Sequence, residues 1–398
     1  MVESKAKSMA KSMAKLSWRE RLLELFTGRT PGSSATVSVA VVLLGFLVGT
    51  FLILAVGRNP ADMYFSMIQV VSGWYIRWDA AAGAFVTRFN LRYIGDWIVI
   101  SLPLILCGLS MAFAARAGLF NIGAEGQYIA GLTAAQFAAL YFPPIPGLHW
   151  ILALCAALAA GALWGGIVGF LKARYSVSEV VATIMMNYIA LYASRFFTMR
   201  IPGTNTYQTP PFPDTARLRD PFLSAITNGS RLNYGVYITL AALFFFWIVM
   251  GKTRLGYALR ATGFNKEAAR YGGISVKSGI TAAMAISGAF AGLAGAIVSL
   301  GSFSAGRVLA AQDGYGFDGI AVALVGNSSA WGTALSGLLF GMLKSAQPLM
   351  QSRQLPKEIT AIIMGLVVVF ISLRAGLKIL IDKQMKEAAQ AAQKGDAE

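Results

Sequence analysis

Residues 255–274 read LGYALRATGFNKEAARYGGI, and the reading of this stretch decides the fold. It is polar and basic, with Arg260, Lys266, Glu267 and Arg270, and Gly256, Gly263, Gly272 and Gly273 punctuate it. Apolar runs flank it at 234–250 and 280–300, each near the ~20 residues a helix needs to cross a bilayer. So long a polar segment between two spans predicts a short cytoplasmic helix that receives force from another protein.

The rest of the chain fits a membrane setting. Of 398 residues, 56% are apolar and 13% charged, with a mean hydropathy of +0.60. A soluble protein would carry about 25% charged residues. Lipid offers the backbone no hydrogen bonds, so the spans are expected to be helices. The apolar runs are too long and uniform for the alternating strands of a membrane barrel. The expected fold is all-α and polytopic, with lipid as its main solvent. The net charge of +16 would suggest nucleic acid in a soluble protein. Here it reads as cytoplasmic Lys and Arg beside the helices, with no nucleic-acid partner. Cys107 and Cys155 both lie in apolar runs, which disfavours a disulfide framework. His149, the sole histidine, reads as an interfacial residue at a helix start and cannot build a metal site alone.

Three domains are expected. Residues 1–33 hold seven Lys or Arg and read as a cytoplasmic tail, either an amphipathic helix on anionic lipid or a disordered basic segment. Residues 34–377 form the transmembrane part, and 378–398 a charged cytoplasmic tail. Spans are expected at 36–56, 97–115, up to 141, 150–171, 180–197, 234–250, 280–300 and 359–373. An aromatic-rich segment at 57–96 suits the membrane interface. The loop 198–232 carries five prolines and reads as a stiff, extended outer surface. Two short apolar runs, 317–325 and 331–343, flank the break Gly326-Asn327-Ser328-Ser329, and each is under the length of a full crossing. They are re-entrant or short crossings. About ten helices with both termini inside follow, because that orientation puts 21 of the 34 Lys and Arg in the cytoplasm. Residues 251–279 then form a cytoplasmic loop.

Two segments place polar residues where apolar ones are expected. GLFNIGAEGQYIAG, 118–131, puts Asn121, Glu125 and Gln127 at the front of an apolar helix, after Phe120. A carboxylate there must face protein or water. It lines a pathway in a discontinuous helix, or it ties helices together. Asn187, beside Tyr188, sits in mid-span and is an interhelical hydrogen bond or a solute contact. GYGFDGIAVALVGN, 314–327, repeats the pattern with Asp318 and Asn327. Paired interrupted segments in two halves point to a transport site at their interface.

No stretch fits GxxxxGK[ST], HExxH, CxxC or GxSxG, which leaves no phosphate cradle and little for catalysis. A channel's repeated pore motif is also missing. What remains is a membrane pathway worked by an outside motor. The alternative is a stand-alone secondary transporter or facilitator of a small polar solute.

GLFNIGAEGQYIAG, EVVATIMMNYIALY (179–192), ATGFNKEAARYGGIS (261–275) and GFDGIAVALVGN (316–327) stand in an order that resembles the permease subunit of bacterial ATP-binding-cassette importers. Within the branched-chain amino-acid, ribose and nucleoside permeases, it most resembles the nucleoside and simple-sugar branch. The likeness covers about residues 95–375. It implies a coupling helix with Glu267, Ala268 and Ala269 followed by Gly272 and Gly273, and with Arg260, Asn265 and Arg270 around them. The downstream Ile-x-Leu-Pro element of other importers is missing, since 281–287 reads TAAMAIS. It also implies that Phe120, Asn121, Glu125, Gln127, Asn187, Tyr188, Asp318 and Asn327 line a nucleoside pathway in a bacterial inner-membrane protein. The implied partners are a second permease subunit, identical or related, cytoplasmic ATPase subunits, and an extracellular or periplasmic substrate-binding lipoprotein landing on 198–232. No cofactor is expected in this chain, and ATP and Mg belong to the ATPase.

Overall fold

The computed structural model describes residues 33–79, 83–356 and 358–373. The basic N-terminal tail and the 378–398 tail lie outside the described residues. The chain divides into two units, 1–56 with 361–398, and 57–360.

The first unit contains α1 (Ser33–Ala55) and most of α14 (Glu358–Leu373). Gly45 and Gly49 lie one turn apart on α1 and admit the side chains of Val367 and Ile363. Small residues permit such contacts, which hold helices together where lipid gives no hydrophobic drive.

The second unit opens with α2 (Ala61–Ser72), closed by Gly73 at φ 75°. A hairpin follows, with β1 (Trp74–Asp79) antiparallel to β2 (Ala84–Phe89) in the register Trp74 to Phe89. Then come α3 (Arg92–Arg116), α4 (Ala124–Tyr141), α5 (His149–Tyr175) and α6 (Glu179–Thr198). The connection to α8 (Gly235–Lys252) holds β3 (Gln208–Pro211) and α7 (Pro221–Ile226). Two polar helices, α9 (Arg254–Phe264) and α10 (Lys266–Tyr271), precede α11 (Val276–Ala296), which continues as a π-helical turn, Ile297–Ser302. The last elements of the unit are β4 (Ala305–Arg307), α12 (Tyr315–Val325) and α13 (Ala330–Ser352).

Among the described residues, six helices are long and apolar enough to cross a membrane: α1, α3, α5, α6, α8 and α11 with its π turn. The two antiparallel strand pairs are small additions to a helical protein.

The core is packed backbone to backbone. Gly161, Gly165, Gly288 and Gly292 let α5 and α11 meet: a Cβ on Gly161 would strike the Gly288 carbonyl, and one on Gly292 the Ala157 carbonyl. Gly131 brings α4 against Gly292, and Gly295 lies on the Tyr128 carbonyl. These contacts explain why so apolar a chain is also rich in glycine.

The structure corrects three expectations. The 331–343 run is part of a 23-residue helix. Its apolar stretch ends at Lys344, but the helix runs on, because Lys is a good helix former, and the ammonium pairs with Asp318. The proline-rich 198–232 loop is folded, not simply extended. Phe212, Ala216 and Leu218 are buried, and the Phe212 and Leu218 amides donate to the Ser304 and Leu300 carbonyls at 2.9 and 3.0 Å. His149 does begin a helix, but it is buried, 2.9 Å from Thr215 Oγ1 and 3.2 Å from the Ala138 carbonyl.

Candidate functional site

The two acid-bearing, glycine-flanked segments meet. Glu125, in the first turn of α4, is fully buried. Its carboxylate accepts from the Gly314 and Gly316 amides at 2.8 and 2.6 Å. Those amides belong to the start of α12, so the N-termini of two helices converge on one carboxylate. Partial positive charge at both ends and two charge-assisted hydrogen bonds offset the cost of burying the acid. Gly316 is required at this spot, since a Cβ there would overlap the Glu125 backbone.

A second polar knot lies beside it. Asn121 Nδ2 donates to Gln127 Oε1 at 2.8 Å and to Ser287 Oγ at 2.7 Å, and its Oδ1 accepts from the Gly123 amide at 3.0 Å. Ser110 and Ser287 hydroxyls are 3.0 Å apart, which ties α3 to α11. Asn187 on α6 accepts from the Gly126 amide at 2.8 Å and donates to the Ile122 carbonyl at 3.1 Å. All four residues, Asn121, Glu125, Gln127 and Asn187, are therefore buried and bonded to protein.

The remaining pathway candidates lie elsewhere. Asp318 pairs with Lys344, whose ammonium lies 4.7 Å from the Tyr315 ring centre. Phe120 and Tyr188 are exposed, at 40% and 52%. Asn327 is exposed at φ 52°, a left-handed position that Asn tolerates, in the turn between α12 and α13.

A cavity of about 440 Å³ opens between α3, the π turn, α12 and α13, and none of the eight candidates lines it. Its wall includes Tyr93, Pro103, Ser302, Phe303, Tyr315 and Ser345, with Asp96 and Arg231. The segment from Phe303 to Gly314 that borders it is pinned by charge. Arg307 forms a two-point ion pair with Asp313, which also accepts from the Tyr128 hydroxyl at 2.7 Å. Burial would lower the Arg307 pKa, but the hydrogen bond to Asp313 and the charges of the groups around it together raise it, so the guanidinium stays charged. Sequence reading missed this region. Its usable signal was Pro103 and Pro348, prolines inside otherwise continuous helices.

The polar stretch 254–271 forms two helices joined at Asn265. The Asn265 side chain caps α10, accepting from the Glu267 and Ala268 amides at 3.0 Å each. Gly273, at φ 79°, ends α10, and the Ile274 amide returns to the Ala269 carbonyl at 3.0 Å. Ala269 is buried, while Ala268, Arg270, Gly272 and Gly273 are exposed. Glu267 and Arg270 lie 3.6 Å apart on the exposed face, and Arg260 is exposed as well. Phe264 and Tyr271 stand out at 96% and 92% exposure. The other side of α9 is fixed, because Gly263 packs on the Arg116–Gly118 backbone and Gly256 on the end of α8. The exposed helix is thus backed by the turn that leads to the Asn121 knot.

In membrane transport proteins half-helix N-termini point at the anionic group of a bound solute; here the α12 amides are taken by Glu125 of the chain itself. Comparison with known proteins defines the family. Residues 93–372 match the branched-chain amino acid transport system / permease component family, and the chain belongs to it. It is similar to the guanosine ABC transporter permease protein NupP of Bacillus subtilis, with 39% identity over 90% of this chain and 98% of the relative. It is 35% identical to the nucleoside ABC transporter permease protein NupB of Lactococcus lactis, over 91% of this chain and 97% of the relative. A glucose ABC transporter permease protein of Haloferax volcanii is 31% identical over 90% of this chain and 94% of the relative. Each of the first two organisms also supplies a second, less similar permease protein, NupQ at 29% over 62% of this chain and 79% of the relative, and NupC at 25% over 63% and 80%. The chain is a multi-pass membrane permease component.

Proposed function

We propose that this chain is the membrane-spanning subunit of an ATP-binding-cassette importer that brings nucleosides into the cell. The observation that carries the reading is the likeness to permeases named for guanosine and for nucleosides over 90% and 91% of the chain. The chain works beside a second permease subunit. Support comes from the two organisms in which a second permease protein accompanies the similar one. Cytoplasmic ATPase subunits hold ATP and Mg, and a substrate-binding lipoprotein delivers the solute to the outer loops. This chain hydrolyses nothing. It resides in the bacterial plasma membrane, crosses about ten times and keeps both termini inside.

In this reading α10 is the coupling helix. Phe264 and Tyr271 are apolar anchors for a groove in the ATPase, and Arg260, Lys266, Glu267 and Arg270 orient the contact. Movement at α10 passes through α9 and Gly263 to the turn below the Asn121 knot. The Glu125 junction holds the half-helix α12 at the inner part of the pathway.

The test is ATP-driven guanosine uptake by the complete complex in proteoliposomes. Wild type is expected to import, and Glu267→Lys and Gly273→Trp to lower ATPase association and uptake at unchanged membrane insertion. Uptake by this chain alone under an ion gradient would sink the importer reading. Normal uptake by both variants would remove α10 from the coupling role.

A further inference from the structure

We infer that the groove between the end of α5 and the start of α11 holds an anionic phospholipid, with its phosphate on Arg174 and Lys277 and an acyl chain on the apolar wall deeper in the groove. The inference needs only the membrane setting and is independent of the transported solute.

The groove has a volume of about 450 Å³ and two kinds of lining. Arg174, Lys277, Ser278 and Thr281 are polar, and Phe170, Ala173, Ala282 and Ala285 are apolar. Its shape follows from small residues. A Cβ on Gly169 would lie 2.9 Å from the Thr281 Cα, so α5 and α11 touch at this level. The alanines at 173, 282 and 285 leave space beside that contact.

Depth and charge select the occupant. Both α5 and α11 with its π turn are long and apolar enough to cross a membrane. Arg174 stands in the last turn of α5 and Lys277 in the first turn of α11, so both cations lie at the level where a bilayer carries its phosphates. Phe170 is four residues, about 6 Å, further into α5, and Ala285 is eight residues, about 12 Å, further into α11. The groove therefore runs from headgroup level into the hydrocarbon, which suits one molecule with a charged head and an apolar chain.

The acids at this end of the bundle go to other cations. Glu179 lies 2.6 Å from the Lys172 ammonium, and Glu267 lies 3.6 Å from Arg270. Arg174 and Lys277 are exposed, and among the described residues neither forms an ion pair. The Arg174 guanidinium lies 5.6 Å from the Tyr175 ring centre. An Arg fork matches two phosphate oxygens, and a Lys ammonium adds a point charge. Basic pockets between spanning helices bind such headgroups. Residues 272–275 alone separate α10 from α11, so the lipid would sit where the polar stretch joins the bundle.

The experiment follows thermal unfolding of the full-length chain in detergent micelles during titration with dioleoyl phosphatidylglycerol or dioleoyl phosphatidylcholine. Phosphatidylglycerol is expected to stabilise wild type at the lower concentration. Each cation near an anionic headgroup adds about fivefold in affinity, so Arg174→Gln with Lys277→Gln is expected to shift the phosphatidylglycerol midpoint roughly 25-fold and to leave the phosphatidylcholine response unchanged. Ala282→Trp, which fills the apolar wall and keeps both charges, is expected to weaken the same response. Lys5→Gln with Lys7→Gln removes as much charge from the N-terminal tail and is expected to change the midpoint little. An equal loss in that control would reduce the effect to net charge and overturn the site. Equal stabilisation by glycerol 1-phosphate would make it a phosphate site with no place for a chain. An unchanged phosphatidylglycerol response in the Arg174→Gln, Lys277→Gln protein, with weakened ATPase association, would assign the groove to a protein partner instead.

Discussion

Glu125 shows how one side chain can set the geometry of a membrane protein. It is buried, and its two oxygens each take one amide of the α12 N-terminus. Removing the carboxylate leaves two buried donors without a partner, each costing about 1–3 kcal/mol. Glu125→Ala is therefore expected to lower the melting temperature in detergent more than Glu125→Gln, which keeps one acceptor oxygen. If Glu125→Ala melts with wild type, the carboxylate does not hold α12. Asn187 acts in the same way on a smaller scale, since one carboxamide joins α6 to the start of α4 through two backbone groups. Both residues set the positions of the helices they join.

At the scale of elements, α5 and α11 depend on their glycines. A Cβ on Gly288 would overlap the Gly161 carbonyl, which is backbone and cannot rotate away. Gly288→Ala must push the helices apart and open gaps along the whole seam, so it is expected to cost more than the ~1 kcal/mol of a helix-propensity change, and in the opposite direction to propensity. Thermal unfolding of the purified variant checks the sign. A stabilised Gly288→Ala protein would mean that the seam is looser than described. The six-residue α10 is held differently, by an Asn265 cap at one end and a left-handed Gly273 at the other. So short a helix cannot persist on propensity, and its ends matter more than its middle.

At the scale of the whole molecule, orientation follows from the bias of Lys and Arg. Alkaline phosphatase fused after residue 354 is expected to be active, and fused after residue 273 inactive, because the orientation proposed above puts the first position outside and the second inside. The reverse pattern would invert the protein and move α10 away from any ATPase. The two acid-bearing segments lie 189 residues apart in the chain, counted from Glu125 to Gly314, yet they form one junction. The 440 Å³ cavity likewise draws its wall from α3, the π turn, α12 and α13.

The sequence by itself determined the membrane class, the position of most spans and the family. Length and uniformity of apolar runs are local properties, and GLFNIGAEGQ, FNKEAARYGG and GFDGIAVALVGN are contiguous motifs. It also marked Glu125 and Asn187 as residues that need a partner, because burying a polar group unpaired is costly. Only the tertiary structure decided what those partners are. They are backbone amides and carbonyls, which carry no signature in the sequence. Tertiary contact also decided which group meets the charge of Lys344 on α13, since Asp318 pairs with it from another helix. Above all it decided where the polar stretch 255–274 rests. The sequence could say that this segment lies between two spans, but not that Gly263 would seat it on the Arg116–Gly118 turn. That contact depends on an approach of two backbones, and backbones meet only once the chain has folded.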